Sequence, residues 1–151
     1  MGPVVLRVAT PEQTREIGAR LGRAAAAGDR FLLQGPFGAG KTTFVQGLAA
    51  GLEVTTPVSS PSFVIETRYR GRLTLHHIDL YRLDSIEDAL VESLEEDLYA
   101  DGVSAVEWAE HLPARLREDS TLIRFEIDHD NESARSLTLI TTQAHLRDAV
   151  K

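Results

Sequence analysis

The run Gly35-Pro36-Phe37-Gly38-Ala39-Gly40-Lys41-Thr42 carries the pattern G-x-x-x-x-G-K-[ST]. Each residue type meets a chemical need: glycines let backbone N–H groups wrap phosphate oxygens, lysine reaches the outer phosphates, and a hydroxyl ligates magnesium. The segment therefore reads as a phosphate-binding loop for a nucleoside triphosphate with Mg2+, and a helix opening near Thr42 would add its positive dipole end. Two acids stand where a metal could use them. Asp79 and Glu107 each close an apolar-leaning run, so both carboxylates could arrive at one edge of a sheet. Residue chemistry leaves open which of them touches magnesium directly and which works through water.

Other residues with chemical potential have plainer readings. Ser59, Ser60 and Ser62 occupy a proline-marked loop where switch segments sense a γ-phosphate, although hydroxyl-rich loops also occur without that role. His76 and His77 are adjacent, so on a strand they face opposite ways and cannot form a pairwise metal site. One packing and one exposed histidine is the expectation. Trp108 reads as a core or edge plug rather than a base-stacking platform. The acidic run from Glu92 to Asp97 reads as a solvated helix face that could also meet a basic partner.

These residues need elements to position them. Val4 to Val8 reads as a short strand, and Thr10-Pro11-Glu12-Gln13 as a helix start with threonine cap, proline at the first position and a capping-box glutamine. Ile17, Leu21, Ala24 and Ala25 share a helical face, with Gly28 as the stop. Phe31-Leu32-Leu33 reads as the buried strand that delivers the loop, and Val45, Leu48, Ala49 and Leu52 as the core face of the helix that leaves it. Phe63 to Tyr69 turns at Arg70-Gly71 into Leu73 to Asp79 as a hairpin. A helix from Ile86 to about Tyr99 follows a cap at Asp84-Ser85, then a buried strand from Val103 to Trp108. Strands at Leu122 to Ile127 and Leu137 to Thr141 come last, before a short tail from about residue 143.

The bulk composition limits the answer further. The chain has 151 residues and 42% hydrophobic side chains, enough for one core, so residues 1–151 read as a single domain. A formal charge of -7 gives no general grip on nucleic acid, so any RNA would be held through another protein. With no cysteine there is no disulfide, thiolate zinc site or thiol nucleophile. No leader or membrane-length apolar run is visible, and a cytoplasmic protein is expected.

Taken together, Gly38 to Thr43, Ser60-Pro61-Ser62-Phe63, His77-Ile78-Asp79-Leu80-Tyr81-Arg82-Leu83 and Glu107-Trp108-Ala109-Glu110 resemble the bacterial tRNA threonylcarbamoyladenosine biosynthesis ATPases, the TsaE (YjeE/YdiB) family. The likeness runs in order from about Thr10 to Thr141. It implies an ATPase that binds ATP or ADP with Mg2+ and works with TsaD- and TsaB-type partners to modify the adenosine next to the tRNA anticodon. It also implies that Gly35, Gly38, Ala39, Gly40, Lys41 and Thr43 hold phosphates, that Thr42 and Glu107 ligate magnesium directly, and that Asp79 is the acid of the second nucleotide motif. Ser62 then belongs to the switch-like loop, Tyr81, Arg82 and Trp108 lie near the site, and Thr10 lies by the adenine. Pro36 and Phe37 depart from the aspartate and aliphatic residue usual there, removing an acid and a backbone donor beside the phosphates. Ser62 stands for the usual threonine and Ser93 for a frequent glycine.

The expected architecture is α/β: a single P-loop NTPase domain with a mainly parallel central sheet and antiparallel additions from the Phe63–Asp79 hairpin and the C-terminal strands. Two alternatives stand beside the ATPase reading, a small-molecule kinase and a nucleotide-gated regulatory module with little turnover. No Asn-Lys-x-Asp segment supports a guanine-specific switch.

Overall fold

The computed structural model describes residues 2–59, 66–81, 88–98 and 100–151, with backbone alone at 88–90. Seven strands form one sheet: β1 (Val4–Val8), β2 (Arg30–Gln34), β3 (Glu66–Tyr69), β4 (Leu75–Asp79), β5 (Val103–Glu107), β6 (Thr121–Ile127) and β7 (Arg135–Ile140). Their spatial order is β1-β7-β6-β2-β5-β4-β3. β4, β5, β2 and β6 run parallel, whereas β3, β7 and β1 add antiparallel pairs at the two sides. The expected mixed sheet is therefore present, with one correction on each side: β4 and β6 belong to the parallel centre through β5 and β2, while also pairing antiparallel with β3 and β7. The C-terminal hairpin is part of the frame, and the N-terminal strand completes that edge.

Helices cover both faces. α1 (Pro11–Ala24) and α2 (Lys41–Gly51) pack on one face with α4 (Ala144–Ala149), and α3 (Asp88–Leu98) packs on the other. The strand period sorts side chains accordingly: Phe31 and Leu33 of β2 enter the α1/α2 core, and Leu32 enters the α3 core. Central strands buried on both faces read as continuous apolar runs, as β2 does. The region from about residue 143 is a helix rather than a tail, because Leu146 and Val150 are buried in the α1/α2 core.

α1 begins as its sequence dictates. Thr10 caps it by accepting from the Gln13 N–H at 3.2 Å, Pro11 takes the first turn, and Gln13 Oε1 accepts from Ala9 N at 2.6 Å. The glutamine thus closes the box one residue earlier than the standard reciprocal pair. Gly28 does not stop this helix, which ends at Ala24; Gly28 turns the chain into β2 at φ 93°, donating to Gly102 O at 2.7 Å. α1 and α2 meet through glycines: a Cβ at Gly22 would stand 2.3 Å from Leu48 O, and one at Gly51 2.3 Å from Ala19 O. Only hydrogen fits between these backbones. The expected cap at Asp84-Ser85 and the start of the hairpin at Phe63 lie outside the described residues.

Candidate functional site

Three glycines with positive φ shape the β2–α2 loop: Gly35 at 151°, Gly38 at 75° and Gly40 at 106°. At Gly40, directly before α2, left-handed backbone lets the loop turn into the first helical residue, Lys41. Gly35 has a second constraint, since a Cβ there would lie 2.7 Å from Phe125 O on β6. The loop is thereby pinned against the parallel centre of the sheet, and the first amides of α2 point out of its end.

Lys41 and Thr42 leave this loop toward β5. The Lys41 ammonium donates to Gly35 O at 2.5 Å and lies 3.5 Å from the centre of the Trp108 ring. Burial pushes it below the ordinary ammonium value, while Glu107, Glu110 and Asp79 pull in the opposite direction. The Thr42 hydroxyl donates toward Glu107, 3.2 Å from Oε1 and 3.3 Å from Oε2. Asp79 stands beside Glu107 in the β4/β5 register and accepts from the Tyr81 N–H at 3.0 Å, which closes the turn after β4. So Lys41, Thr42, Asp79 and Glu107 meet at the carboxyl ends of the parallel strands, where open α/β sheets place ligands. An oxygen donor set of one hydroxyl and two carboxylates suits a small hard cation such as Mg2+.

A cleft of about 510 Å³ opens on the α1 side of the loop. Thr10, Gly38, Ala39, Gly40 and Thr43 line it, joined by Arg135, the first residue of β7. Arg135 ties the start of that strand to the loop through Gly38 O at 3.3 Å. Of the residues expected from sequence, Thr10, Gly38, Ala39, Gly40 and Thr43 line the cleft and Gly35, Lys41, Thr42, Asp79 and Glu107 form the adjoining cluster, whereas Ser59 is exposed and lines neither. Ser62 and Arg82 lie outside the described residues.

The histidines depart from expectation, since both are buried: His76 is 5% exposed and His77 0%. They do face opposite sides, but both sides are covered. His77 Nε2 lies 2.5 Å from Glu107 Oε2 under α2, and His76 Nδ1 lies 3.1 Å from Glu66 Oε1 on the α3 side. Asp97 also departs from the solvated face assigned to it; it is buried and accepts from Arg68 at 2.8 Å. Trp108 is partly buried and packs with Phe37 and Tyr81, at ring separations of 5.3 and 5.1 Å. It plugs the sheet edge as expected and also floors the Lys41 ammonium. His77 and Arg135 were missed as site neighbours; burial on both faces of a parallel strand was the available signal for His77, and nothing local marks Arg135.

Comparison with known proteins fits this geometry. Residues 8–137 match the model of the threonylcarbamoyl adenosine biosynthesis protein TsaE. The tRNA threonylcarbamoyladenosine biosynthesis protein TsaE of Nostoc sp. is 37% identical over 95% of this chain and 89% of its own length. That of Bacillus subtilis is 36% identical over 89% and 84%. The crystal structure of Bacillus subtilis YdiB superposes with a TM-score of 0.74 at 30% identity, covering 99% of this chain and 92% of that one. A chain matched by this family over most of its length, with a YdiB-like fold, belongs to the TsaE family of threonylcarbamoyl adenosine biosynthesis proteins.

Proposed function

We propose that this protein is a Mg2+-dependent ATPase that supports threonylcarbamoyl modification of the adenosine next to the tRNA anticodon, acting with TsaD- and TsaB-type partners. The observation that carries the reading is the meeting of Lys41, Thr42, Asp79 and Glu107 at one end of the parallel strands, with Thr42 Oγ1 3.2 Å from Glu107. Loop amides and the α2 N-terminus would bind phosphate oxygens, and the Lys41 ammonium would move from Gly35 O to the outer phosphates. Thr42 and Glu107 would hold magnesium, with Asp79 orienting its water from the neighbouring strand. Magnesium, when bound, supplies charge neutralisation at the transferring phosphate. The cleft beside Thr10 and Thr43 would receive the nucleoside.

The chain's acidity supports holding tRNA through partners, since a net charge of -7 offers little attraction to a phosphate backbone. Among the described residues no helix is long and apolar enough to cross a membrane. The decisive experiment is reconstitution with the two partners, tRNA, ATP and the threonylcarbamoyl donor. Multiple rounds of modification should require this protein and ATP, with slow phosphate release to water by the protein alone. Normal multiple turnover without it would overturn the pathway, and phosphate transfer to a metabolite would favour a kinase.

A further inference from the structure

From the buried contact between β4 and β5 we infer that His77 is a positioning residue for Glu107, a donor that fixes the carboxylate in the orientation in which it would meet a divalent cation. This rests on the reading of Thr42 and Glu107 as magnesium ligands. The placement follows from register: His77 pairs with Ala105, so Glu107 stands two residues further along the same face of β5. Across that diagonal His77 Nε2 meets Glu107 Oε2 at 2.5 Å, and the two side chains are 0% and 4% exposed. Thr42 approaches the same carboxylate from α2. Glu107 is thus held from the sheet side by the imidazole at Oε2, while the Thr42 hydroxyl lies within reach of both carboxylate oxygens.

The second imidazole nitrogen shows which atom donates. His77 Nδ1 is buried and meets no hydrogen-bond partner among the described residues. Nε2 faces the carboxylate, so the proton it carries has an acceptor and Nε2 is the donor to Glu107. Orientation of a ligating carboxylate by a fixed outer donor is worth roughly 10–100-fold in metal affinity where it has been removed.

The cluster around His76 shows the contrast. Glu66 and Asp97 there are bridged by the Arg68 guanidinium, at 3.1 and 2.8 Å, so a resident cation already occupies it. Around Glu107, the Thr42 hydroxyl and the His77 imidazole hold the acid, and among the described residues no arginine or lysine forms a contact pair with it.

The test uses His77→Leu, which fills the space without a donor, and His77→Gln, whose amide N–H can reach the position of Nε2. ATP affinity is measured with saturating Mg2+ and again with EDTA; the ratio is the magnesium coupling. His77→Leu should lose about 10–100-fold of that ratio, with EDTA affinity nearly unchanged, and His77→Gln should recover most of it. Independently of nucleotide, ring-nitrogen NMR of the protein alone should show a slowly exchanging proton on Nε2 of His77 that loses its strongly hydrogen-bonded shift in Glu107→Ala. Full coupling in a folded His77→Leu, or an Nε2 that carries no proton, would overturn the inference, as would a folded His77→Gln no better than His77→Leu. Should His77→Leu fail to fold, His77→Gln and the NMR signature decide. Absence of any magnesium coupling in the unmodified protein would instead sink the reading of the loop itself.

Discussion

Gly47→Ala offers a test whose sign, not only its size, depends on the packing of α1 against α2. In a helix interior alanine is favoured over glycine by about 1 kcal/mol, so an unobstructed Gly47 would make the substitution stabilising. Here the added Cβ would stand 2.0 Å from Arg15 O, with Arg15 C at 2.8 Å and Arg15 Cα at 3.0 Å. All three atoms are backbone, so no side-chain rotation relieves the contact. The helices would have to separate by more than an ångström, opening the matching contacts of Gly18 with Phe44 O and of Gly22 with Gly51 Cα.

Overpacking against immovable neighbours costs roughly 1–3 kcal/mol and occasionally more. Taking the upper figure and subtracting the propensity gain leaves a net loss of about 2 kcal/mol. For a domain of this size that lowers the melting temperature by about 4–8 °C. Thermal and urea unfolding followed by circular dichroism would measure it. Gly18→Ala should be similarly harmful, and the double variant should lose less than the sum, because one separation accommodates both methyl groups. A Gly47→Ala protein as stable as the parent or more so would refute the close approach of these helices. The effect should reach the site as well, since α2 begins with Lys41 and Thr42, and tilting it moves the Thr42 hydroxyl away from Glu107.

Two further outcomes can be measured directly. Burial, a hydrogen bond with Glu66 and the Glu66 charge push Asp97 up to about 6, above its ordinary 3.8, so the folded protein holds that proton more tightly than the unfolded chain. Its contribution to stability is present in full below about pH 4 and is lost as pH rises through about 6; Asp97→Asn, which cannot ionise, should gain on the parent between pH 5 and 7 in urea midpoints, and parallel profiles would exclude the effect. Phe37→Ala should shift emission of Trp108, the one tryptophan in the sequence, to longer wavelength, because the Phe37 ring covers it at 5.3 Å. Phe37 is 62% exposed, so melting should barely move; unchanged emission would show that the ring does not shield the indole.

Much of this arrangement was legible because it depends on short-range rules. The glycine loop, the Thr10 cap and the period of Val45, Leu48, Ala49 and Leu52 each declare themselves within a few residues, and the described elements around them agree. Asp79 and Glu107 could be placed at one edge because both close apolar-leaning strands, and the parallel β4/β5 register sets them side by side. Features that depended on what lies across the fold were not legible. One of His76 and His77 reads as exposed until both faces of β4 are known to be covered, and Asp97 reads as solvated until Arg68 on the edge strand reaches it. The α4 helix is only six residues long, and tertiary burial of Leu146 and Val150 outweighs its weak local signal. Gly28 illustrates the same limit in reverse, since a positive φ suits a helix stop and a turn before a strand equally well.

The charges of Lys41 and Glu107 at the loop are held by separate partners, and this is what makes the cluster more than a set of satisfied buried polar groups. Lys41 is 5% exposed and Glu107 3%, so a contact ion pair between them would be the simplest way to settle both. The ammonium instead rests on the Gly35 carbonyl and the Trp108 face, and the carboxylate on the Thr42 hydroxyl and the His77 imidazole. Among the described residues neither is joined to an Arg or Lys–carboxylate contact pair. Each charge therefore remains available to a charged ligand of its opposite sign, an anion at Lys41 and a cation at Glu107. A phosphate chain carrying its own divalent metal presents both charges, and a neutral metabolite presents neither. Exchanging Trp108 for an acid would settle Lys41 internally, so Trp108→Glu should weaken ATP binding even in EDTA. The His77 variants should leave that metal-free affinity alone.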